Sequence, residues 1–218
     1  MITIWSVSVR KDKTMAETKK TNPNRLNLPN ILTLIRVAAA PLIIALVLIP
    51  YSAVWFIILT AALFLIASLT DLFDGAIARH TNQVTNFGKF LDPIADKMLI
   101  LGTLIAMAGS SKYAPIRLIL VISACIILLR ELAVSSIRMV AAKEDGTVIA
   151  ANFAGKIKTA FSSAAVIAVM LEDVIFRNGG LAHIHLLSYI MLIITVILTV
   201  WSGISYLIKY STYIDVRK

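Results

Sequence analysis

Long apolar runs alternate along the chain with short polar breaks. A bilayer core takes roughly 20 predominantly apolar residues per helix, and the segments 31–49, 53–79, 88–109, 114–139, 155–171 and 186–210 each meet that length. Pro29 and Pro50 bracket the first, Gly109-Ser110-Ser111 closes the third, and Asn178-Gly179-Gly180 separates the last two. Connections this short predict antiparallel neighbours. The pattern therefore predicts an all-α integral membrane fold of six transmembrane helices. Residues 1–27 read differently. They hold Arg10, Lys11, Lys13, Lys19, Lys20 and Arg25, and the short apolar stretch precedes these charges, an order wrong for a secretory signal. Met15 would serve equally well as the start. Residues 1–27 are expected to be a basic cytoplasmic segment and 28–218 the membrane domain.

Composition agrees with that pattern. The chain is 59% hydrophobic and 15% charged, against roughly 45–50% and 25% in soluble domains. The net charge of +9 would suggest nucleic acid in a soluble protein, but here it reports topology. With the N-terminus inside, every Lys and Arg except Lys112, Arg117 and Arg177 falls on or near the inner side. The positive-inside rule then requires N-in and C-in, with membrane lipid and not nucleic acid as the surroundings; the expected location is a bacterial cytoplasmic (inner) membrane, multi-pass. Cys125 is alone, which excludes an intramolecular disulfide and a cysteine zinc site.

The same orientation sorts the charges inside the spans. Arg36 in the first, Asp71, Asp74 and Arg79 in the second, Lys89, Asp92, Asp96 and Lys97 in the third, Arg130, Glu131 and Arg138 in the fourth, and Lys156 and Lys158 in the fifth all fall toward the cytoplasmic side. Ionisable groups are expensive in hydrocarbon and face a polar interior. One shared polar cavity open to the cytoplasmic side accommodates them, with the uncharged sixth helix completing its wall.

Asp71 and Asp74 are three residues apart and Asp92 and Asp96 four, so each pair shares a helical face. A loop of roughly eight residues, 80–87, would bring the two pairs together. Four converging carboxylates need positive charge between them. An all-oxygen set suits Mg²⁺ or Mn²⁺ better than Zn²⁺. Gly75, Ala78 and Gly88 let the backbone approach a phosphorylated group, and Arg79 offers a fork for its oxygens.

The stretch Asp71-Leu-Phe-Asp74-Gly75-Ala-Ile-Ala78-Arg79, followed after eight residues by Gly88-Lys-Phe-Leu-Asp92-Pro-Ile-Ala-Asp96, resembles the complete signature of the CDP-alcohol phosphatidyltransferases, D-x2-D-G-x2-A-R-x8-G-x3-D-x3-D, at every fixed position. Pro29-Asn30-Ile-Leu-Thr33-Leu-Ile-Arg36, Arg130-Glu131 and Gly155-Lys156-Ile-Lys158-Thr159 resemble the branch that makes phosphatidylglycerophosphate. The resemblance implies transfer of a phosphatidyl group from CDP-diacylglycerol to glycerol 3-phosphate with release of CMP, by a homodimer. It implies metal ligation by Asp71, Asp74, Asp92 and Asp96, with Asp96 also the catalytic base. Asn30, Thr33, Gly75, Ala78, Arg79 and Gly88 would contact CDP-diacylglycerol. Serine, inositol phosphate or phosphatidylglycerol are alternative acceptors within the same chemistry.

A dianionic acceptor entering beside a diphosphate needs its own positive charge. Arg130, Arg138, Lys156 and Lys158 lie at the right depth to bind the acceptor phosphate, with Glu131 orienting Arg130. For Arg36, Arg130 and Arg138 there is a plainer reading: arginines near the interface also anchor helices by snorkelling. His183 and His185 resemble a metal pair but fall on the outer side without a convergent third ligand. Ala160, Ser163, Ala164 and Ala168 suggest close helix packing, and Trp201, Tyr206, Tyr210 and Tyr213 suggest packing and interfacial anchoring. A cation transporter could also line its path with carboxylates, but the charges stop at one depth and no repeated halves are visible.

Overall fold

The computed structural model describes residues 28–50, 53–81, 86–145, 153–176 and 184–210, with side chains described throughout these except at 28–30, 71–81, 86–90, 92, 142–145, 153, 154 and 156. Six α-helices occupy nearly all of it: α1 (Leu28–Leu48), α2 (Val54–Thr81), α3 (Asn86–Gly109), α4 (Arg117–Asp145), α5 (Phe153–Ile175) and α6 (Leu186–Lys209). A 3₁₀ turn, Ser111–Ile116, joins α3 to α4. The stretches Ile31–Leu48, Ser111–Ala141 and Leu186–Lys209 are long and apolar enough to cross a membrane, and Val54–Thr70 is a shorter apolar helix.

Several boundaries differ from the sequence expectation. Helix α2 continues to Thr81 and α3 starts at Asn86, so residues 80, 81, 86 and 87 of the expected eight-residue loop are helical; 82–85 lie outside the described residues. At 1.5 Å per residue the 28 residues of α2 span about 42 Å, more than the roughly 30 Å hydrocarbon core. The polar last turns need no lipid contact, and the helix can run on past its apolar part. Helix α5 likewise passes the expected end at 171 and reaches Ile175, because Glu172 and Asp173 both find partners there.

Packing closes the helices into a ring in the order α1, α2, α5, α6, α4, α3, with α2 and α5 each also touching α3. Successive helices alternate in direction, and the two ends of the bundle differ in chemistry. At one end the close of α1, the start of α2, the 3₁₀ turn and the close of α5 gather Val47, Ile57, Tyr113 and Met170. The apolar core runs inward from there through Ile43, Phe64, Leu104, Leu120, Val166 and Leu192. Outward-facing apolar side chains occur around the bundle, with Leu118 74% and Ile208 71% exposed. An apolar exterior over an equally apolar core is the arrangement of a protein dissolved in lipid. Integral membrane residence follows.

Several hydroxyls buried in this core bond back to their own helices. Thr60 donates to the Phe56 carbonyl at 2.9 Å, Thr103 to Leu99 at 2.6 Å, Ser162 to Lys158 at 2.9 Å and Thr199 to Thr195 at 2.7 Å. This back-bonding satisfies a polar group with no water or partner helix. One inter-helix bond, Ser68 Oγ to Ser163 Oγ at 2.9 Å, ties α2 to α5.

Helix α6 begins at the apolar end on a carboxylate from α5. Glu172, 1% exposed, accepts from the backbone N–H of Leu187 at 2.7 Å and of Ser188 at 3.0 Å, and from the Ser188 hydroxyl. These amides lie in the first turn, where no intrahelical acceptor exists. His185, just before the helix, takes a left-handed conformation (φ 48°). Its Nδ1 stands 3.9 Å from both Glu172 and Asp173, and Asp173 pairs with Lys112 at 3.7 Å. His185 therefore has carboxylate neighbours the sequence did not indicate; His183 lies outside the described residues.

Candidate functional site

Toward the end of the bundle opposite Glu172 lie the four aspartates and the basic residues of α1, α4 and α5. Helical backbone carries Asp71 and Asp74 near the close of α2 and Asp92 and Asp96 near the start of α3, and these two helices are in contact. The three- and four-residue spacings put each pair on one face. Asp96 is half-buried. The side chains of Asp71, Asp74, Gly75, Ala78, Arg79, Gly88 and Asp92 lie outside the described residues, as does that of Asn30. As a donor set, four carboxylates on two adjoining helix ends fit a hard divalent cation, which prefers oxygen ligands.

On α1, Thr33 and Arg36 are 2% and 1% exposed. Their three-residue spacing places both on the inward face of the helix, one turn apart. A fully buried arginine is rare unless its charge is matched by partners, so Arg36 belongs to the polar interior and does not snorkel.

The described basic residues form a network across α4, α5 and α6. Glu131 Oε1 accepts from Arg130 Nη1 at 2.9 Å and from Lys158 Nζ at 2.6 Å. Lys158 is 2% exposed. Arg130 reaches α6 as well, donating through Nη2 to Ser202 Oγ at 2.7 Å. Two cations around one carboxylate leave net positive charge in the network. Farther along α4, Arg138 donates through Nε to the Tyr206 hydroxyl at 3.0 Å. Lys97 of α3 donates to Ser135 of α4 at 3.1 Å. The side chain of Lys156 lies outside the described residues.

The structure therefore brings together Arg130 and Lys158, two of the four residues expected to bind the acceptor phosphate, with Glu131 bonded to Arg130 as expected. Arg138 bonds separately to Tyr206. The sequence reading missed the part played by α6. Tyr206, expected to pack and anchor, is 2% exposed and bonds Arg138, whereas Trp201 is 54% exposed, as an interfacial anchor would be. The available signal was a polar pair, Ser202 and Tyr206, four residues apart and so on one face of α6. Tyr213 lies outside the described residues.

Comparison with known proteins gives this arrangement its context. Residues 26–201 match the family model described as CDP-alcohol phosphatidyltransferase. A Bacillus subtilis protein named CDP-diacylglycerol–glycerol-3-phosphate 3-phosphatidyltransferase is 39% identical over 78% of this chain and 90% of its own length. Proteins of the same name from Yersinia enterocolitica and Rickettsia bellii are 33% and 38% identical, over 84% and 83% of this chain and 94% and 93% of theirs. The match spans the aspartate-bearing segments of α2 and α3 and the residues of the basic network on α4 and α5, and the chain belongs to the CDP-alcohol phosphatidyltransferase family.

Proposed function

We propose that this protein transfers the phosphatidyl group of CDP-diacylglycerol to glycerol 3-phosphate, giving phosphatidylglycerophosphate and CMP. Relatives bearing that activity in their names support the reading over most of the chain. Membership of a transferase family favours chemistry over a transport path for the carboxylates. The observation that carries the phosphorylated acceptor is the Arg130–Glu131–Lys158 network, whose net positive charge suits a dianionic phosphate.

In this reading six helices cross a bacterial inner membrane with both termini in the cytoplasm, residues 28–218 form the catalytic domain, and two copies form a homodimer. Asp71, Asp74 and Asp92, with Asp96 beside them, hold Mg²⁺ or Mn²⁺, which when bound neutralises the diphosphate and the departing CMP. Asn30, Thr33, Gly75, Ala78, Arg79 and Gly88 seat CDP-diacylglycerol. Arg130, Arg138, Lys156 and Lys158 hold the acceptor phosphate, leaving its primary hydroxyl toward Asp96. Asp96 takes the proton from that hydroxyl as its oxygen attacks the phosphorus bearing diacylglycerol, and the bond from that phosphorus to the CMP oxygen breaks. Holding both substrates removes the entropy of bringing them together.

Purified protein given CDP-diacylglycerol and, separately, glycerol 3-phosphate, serine, inositol phosphate or phosphatidylglycerol tests this reading through CMP release. Release with glycerol 3-phosphate is the expected outcome. Faster release with serine would refute the phosphate-pocket argument while leaving the chemistry in place. No release with any acceptor would refute the assignment.

A further inference from the structure

Helix α6 has no charged residue from 187 to 207, yet it supplies an acceptor to each of Arg130 and Arg138 of α4. Arg130 donates through Nη2 to Ser202 and through Nη1 to Glu131. Its guanidinium is thus tied at two corners from two helices. The adjoining residue makes room for its stem: a Cβ at Gly203 would lie 3.1 Å from Arg130 Cγ, and one at Gly155 of α5 would lie 3.6 Å from Nη2. Ser202 itself is 1% exposed, so its hydroxyl is removed from solvent. One helical turn on, Tyr206 accepts from Arg138 Nε and holds its ring 5.4 Å from the guanidinium carbon.

A guanidinium is planar, so two ties in that plane set the direction of its remaining N–H bonds. Glu131 alone, on the same helix and shared with Lys158, fixes one corner and leaves rotation about it. Ser202 removes that freedom. A phosphate arriving at Arg130 then meets donors already aimed, and less rotamer entropy is lost on binding.

We propose that Ser202 and Tyr206 are positioning residues for the acceptor: without touching it, they aim Arg130 and Arg138 at the phosphate of the phosphorylated alcohol. This rests on the acceptor-binding role proposed above for those arginines.

The test compares Ser202→Ala, Ser202→Thr, Tyr206→Phe and Arg130→Ala in the full-length enzyme, with KM measured for both substrates. Ser202→Ala should raise KM for glycerol 3-phosphate about three- to tenfold, the size expected for losing one ordinary hydrogen bond, because Arg130 itself is retained. The KM for CDP-diacylglycerol and kcat should stay within about twofold, a split that misfolding would not produce. Ser202→Thr, which keeps the hydroxyl, should restore the acceptor KM. Tyr206→Phe, which keeps the ring, should raise it about two- to fivefold on the same scale. In an Arg130→Ala background, Ser202→Ala should add nothing.

Equal rises in both KM values, failure of threonine to rescue, or an undiminished effect in the Arg130→Ala background would overturn the proposal. Those outcomes leave the acceptor reading standing when Arg130→Ala alone raises KM for glycerol 3-phosphate. An unchanged acceptor KM in Arg130→Ala refutes the acceptor reading itself.

Discussion

Replacing Glu172 by Gln should loosen the bundle at the end away from the chemistry. The carboxylate accepts from two backbone amides and one hydroxyl at the start of α6, at 1% exposure. Its charge also lies at a helix N-terminus, where a negative group is stabilising. Glutamine keeps the shape but has one accepting oxygen, and its NH₂ group must face a donor. The Ser188 hydroxyl can turn to accept from that amide, so one buried backbone N–H is the group left without an acceptor. A hydrogen bond to a charged group contributes about 1.5–3 kcal/mol and a stranded buried donor costs about 1–3 kcal/mol. With these contributions overlapping at one amide, the loss is about 2–4 kcal/mol. For a chain of this size each kcal/mol moves the unfolding midpoint by about 2–4 °C, so a drop near 10 °C is expected. Helical circular dichroism during thermal unfolding of detergent-solubilised protein measures it, alongside turnover at a temperature where both forms are folded. Turnover should be unchanged, because Glu172 and Arg130 occupy opposite ends of the bundle. A midpoint within about 2 °C of wild type would refute the capping argument, and lost turnover at an unshifted midpoint would refute the separation of the two ends.

Asp→Asn at Asp71, Asp74, Asp92 or Asp96 should abolish CMP release while the protein still inserts into membranes; retained CDP-diacylglycerol binding in Asp96→Asn alone, measured by equilibrium binding, would mark it as the base. Arg130→Ala and Lys156→Ala should raise the KM for glycerol 3-phosphate about ten- to a hundredfold, from the roughly 1.5–3 kcal/mol of a charge-assisted contact, with the KM for CDP-diacylglycerol nearly unchanged; steady-state kinetics over both substrates decides. Gly102→Val should lower the unfolding midpoint, because a Cβ at this α3 position would lie 2.6 Å from Ile44 Cδ1 of α1. Shortening the obstacle with Ile44→Ala should recover part of that loss, and a doubly additive loss would contradict a clash between these two residues.

Much of this protein was legible in one dimension. Apolar runs of helical length located the six helices of the described residues, three of whose stretches are long and apolar enough to cross a membrane. The carboxylate spacing was equally plain, since residues three and four apart share a face in any helix, and it led to the family that the comparisons bear out. Helix ends were less legible: hydropathy marks where lipid contact stops, whereas α2 and α5 continue until their backbone or side chains run out of partners. Only the folded ring set α4 between α3 and α6, with α6 separating it from its sequence neighbour α5 in packing order, although Glu131 and Lys158 still join the two. Glu172 falls just past the expected end of the fifth span, and nothing local marks its role because the amides that donate to it lie 15 and 16 residues ahead. Ser202 and Tyr206 read as ordinary residues of an apolar helix because their partners are 72 and 68 residues away. Periodicity records which face of a helix is turned inward, but the hydrogen bonds that orient a side chain there depend on which other helix arrives beside it, and that is decided by tertiary packing.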